Sequence, residues 1–451
     1  MTEVAPRPAK TRPTRRAPGE AGFIPSLGLL ATVALVVGNM VGTSIYTLPA
    51  SLAGASGPLG LVAWVVTAFG YLFVALVYAS LGVRYPRTGG PYVYAREAFG
   101  ELAGFQTVWA YWVSAVIGNA AITAGVVGYL AGFNETLAGS RFSQFLVAQG
   151  LLWGLTLLNV LGVRLSARFQ IGVMFANLIP LVLVSLLALP HFDPANLQPF
   201  APKGVGALAA GATLVVWAYS GVESATVPAE EVDAPATIRR GTLIGYGLGT
   251  AVFLLAAFAT IGVVPTGELA ASARPIALVA ERTVGVWAGT AIGMVAVVAG
   301  TGTLNGWILM AGRIPVSAAE DGLFFRRLSR IHPRWGTPHV ALVVGSLVTS
   351  ATLFLLLGRQ LLEVFSFVVV LAVLTTLFPH LYAAAAELMI ARRDPARYTP
   401  AERRRAHLAA PVAFVFVLYT MYGAGAEAAM WGFLVILAGL PMYVWFATRK
   451  D

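Results

Sequence analysis

The sequence has no cysteine, only five histidines, and charged residues at 11% of its 451 positions. The absence of cysteine excludes disulfides and thiolate metal sites, and five scattered histidines argue against a histidine metal centre. So few charges among 58% hydrophobic residues exclude a soluble domain of this size. No paired histidine, cysteine or carboxylate cluster lies in the apolar segments, so neither an enzyme nor a cofactor is expected. A channel is not favoured either, because no repeated pore-lining ring is visible.

What the sequence has instead is a series of about twelve apolar segments of roughly 17–30 residues. Each is long enough to cross the ~30 Å hydrocarbon core of a bilayer. The basic N-terminus runs directly into a full-length segment, so no cleavable signal peptide is expected. The segments are 27–48, 59–82, 106–132, 144–163, 169–189, 207–228, 241–264, 284–312, 338–357, 361–391, 409–424 and 428–447.

The basic residues that give the chain its net charge of +10 are distributed unevenly between the two sides of the predicted spans. If the N-terminus is cytoplasmic, 25 of the 30 basic residues fall on the cytoplasmic side. This asymmetry predicts a multi-pass protein of the cell (inner) membrane with both termini in the cytoplasm, and it argues against nucleic-acid binding. Residues 1–22 are predicted to be a disordered basic arm, and residues 23–451 a single transmembrane domain. The five basic residues on the other side are Arg141, Lys203, Arg274, Arg282 and Arg359.

Two of the segments are interrupted by small and polar residues. The first contains Val37-Gly38-Asn39-Met40-Val41-Gly42-Thr43-Ser44, and the sixth contains Trp217-Ala218-Tyr219-Ser220-Gly221-Val222-Glu223-Ser224. An unpaired backbone group in hydrocarbon costs several kcal/mol, so a broken helix there must line a protein-enclosed or aqueous cavity. Interrupted helices in corresponding places of two halves point to the substrate site of a secondary transporter.

The two interrupted segments also organise the chain. Segments one to five and six to ten start on opposite sides of the membrane, and each set begins with a broken helix. This predicts an all-α integral membrane fold with a five-plus-five inverted repeat, about 24–190 and about 205–395. Two further helices, about 409–447, are appended.

Four motifs resemble those of the amino acid–polyamine–organocation superfamily. They read GNMVGTSIYTLPASLA, RTGGPYVYAREAFG, WAYSGVESATVPAEEVDAP and GWILMAGRIPVSAAEDGL. Within that superfamily the chain is most similar to the basic amino acid/polyamine antiporters, including the arginine–agmatine exchanger, from about residue 24 to 395. The resemblance implies a LeuT-type fold with broken helices 1 and 6, no cofactor and often a homodimer.

The backbone at the two breaks suits the two ends of an amino acid. The free N–H groups and positive dipole after Gly42 favour a carboxylate, with hydroxyls from Thr43 and Ser44 nearby. The carbonyls that end the first half of helix six, near Trp217 and Ser220, can accept from an α-ammonium group. The alternative interpretation is that these small residues only allow close helix packing.

The substrate side chain is expected to meet aromatic rings. Trp307 lies mid-span, where an indole face attracts a cation with about 2 kcal/mol. The resemblance assigns it as a platform and barrier, Trp217 as the covering aromatic and Asn119 as a contact to the distal group. Ordinary core packing or a helix–helix hydrogen bond are the alternatives. The complete expected substrate site is Asn39, Met40, Gly42, Thr43, Ser44, Ser114, Ala115, Asn119, Trp217, Ser220, Gly221 and Trp307.

Glu223 is the acid that lies deepest in a predicted span, and such a residue is a functional hypothesis by default. Tyr111 is a candidate hydrogen-bond donor to it. The resemblance places Glu223 in the inner gate, or in direct contact with a polyamine, and Tyr111, Glu223 and His380 form the expected gating group. The other acids near the membrane are predicted to pair with arginines or other polar groups; they are Glu230, Glu231, Asp233 and Glu387.

The chain departs from the resembling exchangers in ways that bear on substrate and coupling. It has Thr43-Ser44 for a serine–glycine pair, His380 for a tyrosine and Ala372 for a serine. Asn177 stands where proton-coupled relatives carry a lysine, and no predicted span contains a lysine. This favours an antiporter of cationic amino acids or amines. A broad neutral amino acid permease, proton-coupled or uniporting, is the alternative.

Overall fold

A computed structural model of the chain describes residues 22–355 and 361–449. The expected disordered arm lies outside these ranges, apart from Gly22. The described chain is helical, and one isolated bridge pairs Leu27 with Val232. The α-helices are α1 (Leu29–Met40), α2 (Thr43–Ser56), α3 (Gly60–Arg84), α4 (Pro91–Phe99), α5 (Glu101–Ala131), α6 (Glu135–Ala138), α7 (Arg141–Val160), α8 (Val163–Ala188), α9 (Ala207–Tyr219), α10 (Pro235–Val263), α11 (Thr266–Ala271), α12 (Pro275–Thr283), α13 (Val286–Arg313), α14 (Val316–Glu320), α15 (His339–Leu355), α16 (Leu361–Arg393), α17 (Pro400–Gly423), α18 (Ala426–Leu437) and α19 (Leu440–Ala447).

Nine helical stretches in the described ranges are long and apolar enough to cross a membrane. The first, Leu29–Arg84, combines α1, α2 and α3, and the last, Ala426–Ala447, combines α18 and α19. Two shorter apolar helices, α9 and α15, accompany them. The secondary structure of the described residues is therefore helical apart from the isolated bridge, and the chain is a multi-pass membrane protein.

Several helices extend beyond the apolar segments. α5 begins at Glu101 rather than 106, and α17 begins at Pro400 rather than 409. α17 starts with a capping box, in which Thr399 and Glu402 satisfy each other's backbone N–H groups and Pro400 fits the first turn. Charged side chains at such helix ends reach the polar interface, so hydropathy alone misses these turns.

The break in the first apolar segment lies where it is predicted, but the sixth segment differs from the prediction. α9 ends at Tyr219, and residues 220–228 form successive turns instead of a second helical half. Gly221 has φ of 109°, a conformation that glycine adopts without a Cβ clash. The Glu223 carboxylate accepts from the Gly221 N–H at 3.1 Å and so provides an acceptor where a regular helix is absent.

α1 lies in the interior of the bundle, with every residue from Ala31 to Met40 buried. It packs against α8, α10 and α13. On α10, Gly241 and Gly245 lie so close to Thr32 and Val36 that a Cβ at either glycine would overlap them. This spacing of small residues is typical of close helix–helix contacts in membranes.

The segment that enters α1 is fastened to the chain that follows the turns after α9. The backbone N–H groups of Ser26 and Leu27 donate to the Glu231 carbonyl at 2.7 and 2.9 Å. The Glu231 carboxylate forms a fully buried ion pair with Arg313 at the end of α13. The predicted pairing of this acid with an arginine is confirmed. Burial raises the pKa of the Glu231 carboxyl, and Arg313 acts in the opposite direction.

Candidate functional site

The first helix break exposes backbone groups at the centre of the bundle. α1 ends at Met40 and α2 begins at Thr43, with two non-helical residues between them. The first N–H groups of a helix have no partner within it, so those of α2 are available to a ligand. Ser44 Oγ donates to the Met40 carbonyl at 2.9 Å and bridges the break. A Cβ on Gly42 would overlap the Thr303 side chain, so glycine is needed for this approach to α13.

The two breaks meet at Asn39. Its Nδ2 donates to Ser224 Oγ at 2.7 Å, across 185 positions of sequence. Gly221 lies against the Asn39 side chain, where a Cβ would be too close. Asn39 Oδ1 is buried, points at Gly306 and has no hydrogen-bond partner within the described residues. One asparagine thus holds the first break, the second break and α13 together.

A narrow cavity lies between these elements. Its volume is about 10 Å³, far below the roughly 300–1,000 Å³ that is usual for ligand pockets. A substrate the size of an amino acid therefore requires the surrounding helices to move apart. The lining residues are Asn39, Met40, Gly42, Thr43, Ser44, Ile122, Trp217, Ser220, Thr303 and Trp307.

Both predicted aromatic residues border this cavity. Trp307 is buried, and its ring lies edge to face with Tyr111 at a centroid distance of 6.4 Å and an angle of 84°. Such edge-to-face pairs fix the orientation of an indole. The geometry therefore leaves Trp307 able to present a ring surface to a ligand, with Trp217 on the α9 side.

The site predicted from the sequence omits two residues that line the cavity. Thr303 lies one turn before Trp307 on α13 and donates from Oγ1 to the Gly38 carbonyl at 2.8 Å. Ile122 lies three residues after Asn119 on α5. Helical spacing of three or four from residues already assigned would have found both.

Three predicted residues of α5 do not line the cavity. Ser114 Oγ donates to the Ala372 carbonyl on α16 at 2.9 Å, so its hydroxyl joins two helices. Ala115 is buried. Asn119 is also buried, and its Oδ1 has no partner in the described chain. The neighbouring Gly118 lies against the Trp217 ring, which places this part of α5 directly behind the cavity wall.

Glu223 is fully buried and hydrogen-bonded through both oxygens. Tyr111 donates from its hydroxyl to Oε1 at 2.6 Å, as predicted, and the Gly221 N–H donates to Oε2. The carboxylate does not line the cavity. It lies at the joint between α5 and the turns after α9, where its bonds depend on the relative position of these elements.

His380 lies apart from the cavity, among aromatic rings. Its Nδ1 is 2.8 Å from the Tyr78 hydroxyl, and its ring packs edge to face with Tyr78 and Tyr71. Nε2 has no partner among the described residues. The structure therefore does not bring His380 together with Tyr111 and Glu223 through direct hydrogen bonds, and its gating role stays a prediction.

Asn177 on α8 touches the first break. Its Nδ2 lies 2.5 Å from the Val41 carbonyl, and its Oδ1 accepts from the Tyr46 hydroxyl at 2.7 Å. A neutral amide thus satisfies a carbonyl exposed by the break. In the described ranges the chain has one lysine, Lys203, and it lies in the connection between α8 and α9.

Comparison with known sequences identifies the family of the chain. Residues 27–448 match the family model described as amino acid permease, and the chain belongs to that family. It is 29% identical over 394 residues to a putative arginine/ornithine antiporter of Bacillus subtilis (strain 168), which covers 80% of this chain and 84% of the relative. It is 28% identical over 425 residues to the putrescine transporter PotE of Escherichia coli (strain K12), covering 92% and 95%. It is 31% identical over 366 residues to the cadaverine/lysine antiporter of the same organism, covering 79% and 82%.

Proposed function

We propose that this permease is a secondary active antiporter that exchanges cationic amino acids or their amine products by alternating access. The observation that carries the proposal is the meeting of two chain breaks at Asn39 around one cavity. Such breaks at membrane depth bind substrate in secondary transporters. The similarity to carriers named for arginine, ornithine, lysine and diamines supports the cationic substrate class.

The proposed fold has twelve spans in a LeuT-type arrangement. α1 with α2 and α9 with its following turns are the broken members of a five-plus-five inverted repeat, and two spans are appended. Both termini lie in the cytoplasm and the protein resides in the cell (inner) membrane. The support is the distribution of 25 of 30 basic residues on one side of the predicted spans.

In the proposed site, the N-terminus of α2 binds the substrate carboxylate, because its free N–H groups and dipole favour an anion. The end of α9 near Ser220 accepts from the α-ammonium group. Trp307 holds the distal cation by cation–π attraction. Asn119 turns its unpartnered Oδ1 to this group once the cavity widens.

The proposed coupling is exchange of substrates. The neutral side-chain amide of Asn177 already donates a hydrogen bond to the Val41 carbonyl. This contact therefore needs neither a proton nor a cation. The return of the carrier then depends on a substrate from the other side. Tyr111 and Glu223 form the proposed gate, with His380 as a further member.

One observation favours a second candidate, a carrier of neutral amino acids. No acidic side chain lines the cavity among the described residues, although a cationic substrate gains from a carboxylate nearby. Glu223 is the nearest candidate, and its oxygens are already occupied.

Transport by purified protein in proteoliposomes tests the proposal. Vesicles loaded with arginine, lysine, putrescine or alanine receive external radiolabelled arginine or alanine, and empty vesicles receive the same labels with an imposed proton gradient. We expect strong uptake only into vesicles that contain a cationic substrate. Exchange of alanine alone would favour the neutral carrier, and uptake driven by pH into empty vesicles would contradict antiport.

A further inference from the structure

A second concave site lies away from the breaks, where α3, α10, α16 and α17 come together. α3 packs against the other three helices, and a cleft of about 190 Å³ opens beside it. The cleft is lined by Leu76, Val77, Ala79, Ser80, Arg84, Arg239, Leu243, Glu387, Glu402, Arg405, Ala406 and Ala409.

One wall of this cleft is apolar and continues onto the outer face of the bundle. Leu76 and Leu243 line it. Ile244, which follows Leu243 in sequence, is 48% exposed, and Leu408, which precedes the lining residue Ala409, is 63% exposed. In a membrane protein, exposed side chains of this kind on a spanning helix contact acyl chains. We therefore expect this side of the cleft to face the acyl chains of the bilayer.

The other wall carries three arginines with unused capacity to donate. The Arg84 side chain is only 8% exposed and stacks over the Tyr398 ring at 3.6 Å, yet its Nε has no partner in the described chain. Among the described residues Arg239 has one ion-pair partner, Glu402, at a long 3.4 Å. Arg405 is exposed, and no ion pair to it is formed within the described residues.

The two acids of the cleft are already engaged. Glu387 accepts from Ser80 at 2.5 Å and from Tyr398 at 3.0 Å. Glu402 caps α17 and pairs with Arg84 at 3.1 Å. The remaining donors thus outnumber the remaining acceptors. An anion with several oxygens would satisfy them, and arginine binds phosphate with two parallel hydrogen bonds.

We propose that this cleft binds an anionic phospholipid, with the phosphate between Arg84, Arg239 and Arg405 and an acyl chain along Leu76 and Leu243. Basic pockets between spanning helices, next to the polar interface, are suited to such headgroups. The apolar wall distinguishes a lipid from free phosphate, because phosphate alone gains nothing from it. The site is separate from the proposed transport cavity.

The test compares two pairs of neighbouring arginines on the same two helices. Arg239→Gln with Arg405→Gln removes two cleft charges. Arg240→Gln with Arg404→Gln removes two exposed charges outside the cleft, so net charge is matched. Arg405→Gln alone breaks no ion pair and serves as the mildest variant. Full-length protein in neutral detergent is titrated with phosphatidylglycerol, phosphatidylcholine or inorganic phosphate, and bound lipid is counted by native mass spectrometry.

We expect the wild-type protein to bind phosphatidylglycerol at least about tenfold more tightly than phosphatidylcholine. The double substitution in the cleft should lower the affinity for phosphatidylglycerol about tenfold, and Arg405→Gln alone should lower it by less. The double substitution outside the cleft should lower it less than about twofold. Equal losses of affinity in the two double variants would overturn the cleft as the binding site, because surface charge alone would then explain lipid binding. Equal binding of phosphatidylglycerol and phosphatidylcholine, or displacement of lipid by millimolar inorganic phosphate, would also overturn the proposal.

Discussion

The Tyr111 hydroxyl lies 2.6 Å from Glu223 Oε1 and joins α5 to the turns that follow α9. The Gly221 N–H occupies the second carboxylate oxygen at 3.1 Å. A buried carboxylate held in this way is not available to a substrate, since breaking its bonds in the interior is costly. This geometry favours a role in the movement between conformations over a role in direct binding.

Removing either partner should therefore slow transport more than it weakens binding. For Glu223→Ala and for Tyr111→Phe, we expect exchange in proteoliposomes to fall about tenfold or more, because one hydrogen bond to a charged group contributes about 1.5–3 kcal/mol. Substrate affinity by isothermal titration should change less than about threefold. Tyr111→Phe removes only the hydroxyl and is the cleaner variant.

A different pattern would assign Glu223 to the substrate. If it pairs directly with an amine, Glu223→Ala should abolish putrescine binding and spare binding of a neutral amino acid, while Tyr111→Phe should have little effect. Normal exchange in both variants would reduce the pair to a structural contact.

Trp307 tests the proposed cation site. Trp307→Leu keeps apolar bulk but removes the ring face, and a cation–π contact of about 2 kcal/mol corresponds to roughly 30-fold in affinity for arginine or lysine. Trp287→Leu on the same helix is the matched control, because Trp287 is 71% exposed and does not line the cavity. Affinity should be measured by titration. An equal loss of substrate affinity in the two variants would show that Trp307 is not part of the binding site.

The two helix breaks illustrate what the sequence can predict. At the first break, Gly38 and Gly42 with Asn39 between them are incompatible with an ordinary span, and the helix ends within this motif. At the second break, the chain after Tyr219 continues as turns. The predicted span extends to residue 228, whereas the internal bond from the Gly221 N–H to Glu223 stabilises a turn. Local polarity locates a break, but tertiary hydrogen bonds decide the backbone that follows it.

The same distinction applies to side chains. Lining residues on the broken helices could be predicted because the break itself fixes their position. The direction of the Ser114 side chain could not be predicted, because its partner is the Ala372 carbonyl on α16, more than 250 positions away. Likewise, the sequence indicates that Glu231 needs a cation but does not identify Arg313. Pairings between distant helices depend on packing that no local pattern contains.

Topology can be tested directly because the chain has no native cysteine. Ala138 and Ala401 are both exposed, before α7 and at the start of α17 respectively. The distribution of basic residues predicts that Ala138 lies outside and Ala401 inside. In intact cells, an impermeant maleimide should label cysteine at 138 and not at 401. Labelling at 401 alone would reverse the proposed orientation.

The buried pair of Glu231 and Arg313 gives a prediction for stability and its pH dependence. Arg313→Met keeps a long apolar side chain but leaves the carboxylate unpaired, and breaking a buried pair costs about 3–5 kcal/mol. Burial raises the pKa of Glu231, and the variant loses the cation that opposes this effect. The folded variant then keeps a proton on Glu231 that the unfolded chain releases above about pH 4.3. Its stability therefore falls as the pH rises from this value toward the higher pKa of the folded state.

We expect the melting temperature of Arg313→Met in detergent to lie well below wild type at about pH 7.5 and to approach it at about pH 5. Adding Glu231→Gln removes the titrating group, so the double variant should lose this pH dependence and recover part of the stability at neutral pH. A deficit for Arg313→Met that is the same at both pH values would contradict the assignment of Glu231 as the group left unpaired.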